Sequence, residues 1–162
     1  MSNLFVWLEN TPVGLFARES LYGFQILAAM HILGLTVSVG TLFWFDLRLL
    51  GVSMVRCPVS EVYRRLMPWM LSGFALMLTT GGLLFTGFAT KAYGSTYFRL
   101  KILAIVCAGV NALVFHLVTE RNIVAWDAQP RPPGPARLAG LVSILLWATV
   151  IVCGRLMSYT MF

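Results

Sequence analysis

Charge is scarce in this sequence. Of 162 residues only 11% are charged, and just 6 are Asp or Glu. An ordinary soluble domain carries about 25% charged residues and about 45–50% apolar ones, whereas 59% are apolar here. A chain this short cannot hide that excess in one core, because a small fold leaves much of its surface exposed. A soluble globular enzyme is therefore excluded. Disorder is excluded as well, since it needs low hydrophobicity and high net charge. Cysteine is sparse: Cys57, Cys107 and Cys153 form no Cys-x-x-Cys pair, so neither a disulfide framework nor a zinc site is expected. They read as small buried apolar residues. The sequence also lacks a Walker loop, a Gly-x-Ser-x-Gly elbow, a His-Glu-x-x-His motif and any paired carboxylates. Hydrolysis is not expected. The chain reads as an electron-transfer or accessory membrane subunit rather than a stand-alone enzyme.

What is present is length of apolar run. Four segments reach the roughly 20 residues that a bilayer requires: near 21–45, 66–89, 98–118 and 138–159. Spanning backbone must satisfy its own hydrogen bonds, so helices follow, and the runs are too continuously apolar for barrel strands. The expected fold is all-α, a four-helix transmembrane bundle running up-down-up-down, with residues 1–162 as a single integral membrane domain. The first apolar patch, Leu4 to Leu8, is too short for a signal peptide and predicts a short surface helix before Pro12. Asp46 to Arg65 reads as the first connection, with Asp46 and Arg48 as a solvated or locally paired helix end. Lys91 to Tyr97 is a brief link, and Glu120 to Arg137 is the long polar one. Its Pro-rich stretch 130–135 predicts an extended, non-helical linker.

The net charge of +6 is not gathered on a polar face but sits at the ends of the apolar runs. That pattern anchors helices at lipid headgroups and does not indicate nucleic acid. Seven Lys or Arg fall on the side of loops one and three against five on the other. This bias places those loops in the cytoplasm and both termini outside.

An ionisable group inside a spanning segment is costly, which makes each a functional candidate. The set is His31, His116, Lys101 and Arg155. His31, Gly34 and Ser38 share one helix face, and Lys101, Ala104, Ala108, Ala112 and His116 share another. Small residues at such spacing mark close helix–helix contact, so both histidines are expected to point into the bundle. Imidazole is the usual axial ligand of haem iron, and Lys101 and Arg155 would stand near propionates at the membrane edge. His31 lies about 15 Å and His116 about 27 Å down from the same side, a mismatch of about 12 Å. That opposes one iron held between them, and leaves a single-histidine haem or one haem per histidine shared with a partner subunit. The bland alternatives are also defined. The histidines could hydrogen-bond Asn111, Ser38, Thr36 or Thr79 across the bundle. Lys101 could snorkel, Arg155 could anchor at the interface beside Tyr159, and the methionines could serve only packing.

The stretches HILGL at 31–35, FDLRLLG at 45–51, LMPW at 66–69, TGGLLF at 80–85, FRLK at 98–101, NALVFH at 111–116 and GRLMSY at 154–159 together resemble a family of small bacterial four-helix inner-membrane proteins of unknown function. They span nearly the whole chain, and the resemblance implies a multi-pass protein of the bacterial inner membrane. A looser likeness, resting on inward histidines in a helical bundle, is to cytochrome b561-type and copper-resistance membrane proteins. The expected function is binding of haem b, with electron transfer to or from quinone or a partner redox protein. His31 and His116 would be ligands, with Lys101 and Arg155 beside the cofactor. The alternatives are a cofactor-free membrane subunit or scaffold, and a proton- or metal-coupled transporter formed as a homo-oligomer.

Overall fold

The computed structural model describes residues 2–119, 121 and 123–161; Met1, Glu120, Asn122 and Phe162 lie outside the described residues, and with Glu120 goes the expected start of the long polar link. The chain runs through α1 (Ser2–Glu9), α2 (Pro12–Glu19), α3 (Gly23–Leu50), α4 (Val59–Gly87), α5 (Ala89–Gly94), α6 (Thr96–Val114), α7 (Ile123–Trp126) and α8 (Gly134–Met161). A π turn, Phe115–Thr119, extends α6. There is no strand among the described residues. Among the described residues, helices α3, α4, α6 with its π turn, and α8 are the four long and apolar enough to cross a membrane. The protein is a multi-pass, all-α membrane protein, as its apolar runs require.

The bundle is packed unevenly. Helix α3 lies closest to α4, α6 lies against α8, and α3 also meets α8, while α4 and α6 share little direct contact. The α3–α4 contact is backbone against backbone. A Cβ on Gly34 would stand 2.8 Å from the Met77 nitrogen, and one on Gly73 would stand 2.5 Å from the Ser38 nitrogen. Gly34 and Ser38, four apart, form the small-residue face expected from the sequence, and van der Waals packing of this kind substitutes for hydrophobic collapse inside lipid. On α8 the buried positions are Ala136, Gly140, Ser143, Trp147, Val150 and Cys153. Their spacing of three and four is the seam of a helix packed along a bundle. Ala104 and Ala108 on α6 are buried, as the Ala stripe implied, whereas Ala112, the next of the stripe, is exposed.

Several boundaries differ from the sequence expectation, each for a physical reason. Helix α3 does not end near Phe45 but continues to Leu50, where Gly51 caps it at φ +74°. A left-handed cap is the position that glycine fills without strain. Asp46 and Arg48 are therefore not a solvated helix end: they are 3% and 0% exposed. Arg48 gives its Nε to the Cys57 carbonyl at 2.8 Å, and its Nη2 to the carbonyls of Gln129 at 3.1 Å and Asp127 at 3.4 Å. One guanidinium thus ties two loops to the end of α3. Asp127 in turn caps α4 from outside it, accepting from the Ser60 amide at 2.7 Å and the Ser60 hydroxyl at 2.6 Å.

Gly134 and Pro135, expected in an extended linker, begin α8; a proline in the first turn has no intrahelical donor to lose. The link after α4 folds as the short helix α5. The short helix expected before Pro12 is α1, and a second, α2, follows it from Pro12; the two cap the end of the bundle. Phe5 of α1 stacks on Tyr93 at 4.7 Å and meets Phe85 edge-on at 6.3 Å. Ala17 of α2 is fully buried, and a Cβ on Gly87 would lie 3.0 Å from its own.

Two substitutions test this framework. Gly73→Leu forces α3 and α4 apart and should cost at least about 1–3 kcal/mol, the usual range for overpacking, read as a lower melting temperature in maltoside detergent. Arg48→Met removes the guanidinium donor from three loop carbonyls, of which, among the described residues, only that of Asp127 keeps another, the Val59 amide at 3.1 Å. Hydrogen bonds to charged groups contribute about 1.5–3 kcal/mol each, so the variant should melt earlier and be cleaved faster by protease in the 120–133 segment. An Arg48→Met protein with unchanged melting and protease resistance would show that the loops do not depend on it.

Candidate functional site

Two cavities remain inside this uneven bundle. The proximal one, about 340 Å³, lies at the end carrying α1, α2 and α5; the distal one, about 250 Å³, lies toward the loops that Arg48 ties.

The proximal cavity gathers His31 from α3, Lys101 from α6 and Arg155 from α8. Its walls are largely apolar, with Phe24, Phe85, Phe88 and Phe98 among them, and no Asp or Glu among the described residues lines it. Phe85 stacks on Phe98 at 5.4 Å, and Phe24 meets Phe88 edge-on at 5.6 Å. His31 Nδ1 lies 3.0 Å from the Met77 carbonyl oxygen and 3.2 Å from Thr80 Oγ1. A carbonyl only accepts, so Nδ1 carries the proton. Thr80 Oγ1 already donates to the Leu76 carbonyl at 2.7 Å, which leaves its oxygen to accept from the same imidazole. In the neutral ring Nε2 is then the unprotonated nitrogen. Gly81 makes room for this pose: a Cβ there would come within 2.9 Å of His31 Cε1. Lys101 lies along Gly154, where a Cβ would stand at ordinary contact distance, 3.6 Å, from its Nζ. Arg155 sits exposed at the rim. It donates to the hydroxyl of Tyr159, on its own helix, at 3.1 Å and lies 4.9 Å from that ring's centroid.

The distal cavity holds His116, on the π turn, together with Asp46, Tyr63, Asn111, Ser38 and Ser143. His116 Nε2 and the Tyr63 hydroxyl are 3.4 Å apart, with ring centroids at 5.5 Å. Ser143, on α8, lines the cavity with Asp46 and lies close enough to its carboxyl to interact with it. Asn111 donates to the Ala139 carbonyl at 3.0 Å rather than to a histidine.

Three of the four candidate residues therefore meet, and His116 stands apart from them. The separation can be measured along α4, where His31 contacts Thr80 and His116 contacts Tyr63. Those partners are 17 positions apart on one helix, a rise of about 25 Å. One iron cannot take both histidines of a chain across that distance. The cross-bundle partners expected for the histidines also differ: Thr36 and Thr79 bond carbonyls of their own helices, and His31 uses Thr80 instead. Lys101 is half-buried on the cavity wall, and Arg155 pairs with Tyr159 as the i, i+4 spacing implied.

The sequence reading missed Asp46 and Tyr63 as cavity residues. The available signal was the continuing α3 face, with Ser38, Leu42, Phe45 and Leu49 at helical spacing up to the Gly51 cap. No group of three or more His, Cys, Asp or Glu side chains able to hold a metal ion occurs among the described residues.

A family model described as a family of unknown function (DUF6644) matches residues 4–160. The chain belongs to the DUF6644 family. No curated protein and no solved structure matches it. In this DUF6644 protein the two cavities are where a ligand has room and polar partners inside the bundle.

The His31 geometry is testable without a ligand. Histidine labelled with ¹⁵N should show His31 as the Nδ1–H tautomer. Gly81→Ala should displace the ring and shift that signal while leaving His116 unchanged. A Gly81→Ala spectrum superimposable on the parent would mean that Gly81 does not set the ring's position.

Proposed function

We propose that this protein binds haem b in the proximal cavity and exchanges electrons with quinone or with a partner redox protein. The observation that carries this reading is His31, on the cavity wall with Nδ1–H held by the Met77 carbonyl. Metal-ligating histidines use their second nitrogen in this way, which fixes ring orientation and leaves Nε2 as the donor atom. The cavity volume of about 340 Å³ falls in the range of small-molecule sites, about 300–1,000 Å³. Lys101 and Arg155 offer cations to the two acid groups of the cofactor near the membrane edge. Phe24, Phe85, Phe88 and Phe98 supply the apolar, water-excluding walls that such a group needs. Bound haem would bring a one-electron iron couple; the chain's own part is to hold, orient and shield it.

In this reading His116 is not the second ligand of the same iron, and the sixth position is open or filled by another group. A homo-oligomer would give each cavity a neighbour. We place the protein in the bacterial inner membrane, with the distal end cytoplasmic and both termini periplasmic. The arginines at that end, Arg56, Arg64, Arg65, Arg121, Arg131 and Arg137, support that orientation.

The test is an absorption spectrum of detergent-purified protein, produced with ample haem, before and after dithionite. A Soret band that shifts on reduction and a sharp α-band are expected. His31→Ala should bind haem at least about tenfold more weakly, which about 1.4 kcal/mol of lost ligation already gives, and His116→Ala should bind it as the parent does. Colourless protein would overturn the reading in favour of a cofactor-free membrane subunit. Loss of haem in His116→Ala alone would move the site to the distal cavity.

A further inference from the structure

The two cavities carry opposite charge. Among the described residues, the proximal one is lined by Lys101 and Arg155 and by no acid, whereas the distal one is lined by one carboxyl, Asp46, and by neither Lys nor Arg. Asp46 is 3% exposed, and no salt bridge to it occurs among the described residues. The buried Arg48, two positions on, is directed to backbone carbonyls of the loops. Ser143, from α8, lines the cavity beside the carboxyl. A buried carboxyl inside a membrane span is expensive and marks a functional position by default.

Around it stand aromatic rings. Phe45, Tyr63, Phe74, Phe115 and Trp147 all line the distal cavity. Phe45 contacts Tyr63 at 5.5 Å and Phe115 at 6.0 Å, and Phe74 meets Trp147 edge-on at 6.3 Å. Aromatic faces attract cations, and walls of several rings are the recognised means of holding an alkylammonium group, which is too bulky and too apolar for a carboxylate alone. The volume of about 250 Å³ is below the range of drug-sized sites and suits a small ion.

We propose that the distal cavity is a binding site for a small organic ammonium ion, with Asp46 as counter-charge and the rings as walls. The site does not depend on haem in the proximal cavity. Ser143 stands beside the carboxyl from α8, and the Tyr63 ring, from α4, adds to the wall that His116 shares. A free amine and the headgroup of a choline lipid present the same chemistry, and either source satisfies the site.

The experiment is calorimetric titration of the full chain in maltoside micelles with choline and with 3,3-dimethylbutan-1-ol, its uncharged isostere. Saturable choline binding is expected, at least tenfold tighter than the isostere. Asp46→Asn should weaken choline at least tenfold while leaving any proximal haem spectrum unchanged. Trp147→Leu should weaken choline as well, by several-fold. No saturable choline binding, equal binding of the isostere, or full affinity in Asp46→Asn would each overturn the proposal. Should Asp46→Asn fail to fold, the comparison of choline with its isostere on the parent protein decides alone. A short-chain phosphatidylcholine that displaces choline identifies the lipid headgroup as the source. Binding of choline with no displacement identifies a free amine.

Discussion

The close approach of α3 to α4 is the contact on which the rest of the molecule depends. In lipid there is no hydrophobic force to drive helices together, so they associate where backbones can touch. Gly34, Ser38 and Gly73 remove the side chains that would prevent it. Once the two backbones are in contact, His31 sits one turn from Gly34 and reaches the Met77 carbonyl and the Thr80 hydroxyl on α4. The orientation of the imidazole is thus a consequence of helix packing. A larger residue at the crossing would widen the pair and release the histidine from its partner.

The same tightness has a complement elsewhere. Helix α3 serves as the common neighbour of α4 and α8, and α6 is held by α8, so α4 and α6 are left without extensive contact. The space this leaves is divided along the bundle into two cavities of different character. Near the capped end, cations from α6 and α8 face a histidine and phenylalanines. Near the loops, a carboxyl from α3 faces aromatic rings and the hydroxyl of Ser143. A bundle packed equally on all sides would have room for neither.

The distal end is organised by a single arginine. Arg48 is fully buried and directs its donors to carbonyls from two loops that are distant in sequence. Carbonyls at loop turns and helix ends have no partner within their own helix, and a guanidinium with five donors is suited to several at once. Asp127, brought close by this arrangement, reaches the start of α4 and satisfies the Ser60 amide there. Because Arg48 is committed to backbone, it is not committed to Asp46, and the carboxyl faces the cavity with Ser143.

Much of the fold was legible in the sequence, because lipid imposes one rule on every spanning residue. Apolar length alone specifies four helices, and the spacing of Gly34 with Ser38 and of Ala104 with Ala108 specifies which faces are inward. The family resemblance, carried by short motifs from His31 to Tyr159, agrees with the match over residues 4–160. The candidate site was legible in part: His31, Lys101 and Arg155 were identifiable as costly intramembrane groups, and they share one cavity. What the sequence could not determine was which costly groups meet. Charge near a helix end looks the same whether it is solvated or buried, so Asp46 and Arg48 read as surface until the Gly51 cap extended α3 past them. Depth along a helix gives only one coordinate, so it could set His31 and His116 at unlike levels without assigning either a neighbour. The tertiary structure decided that assignment, because it depends on which helices touch and which do not.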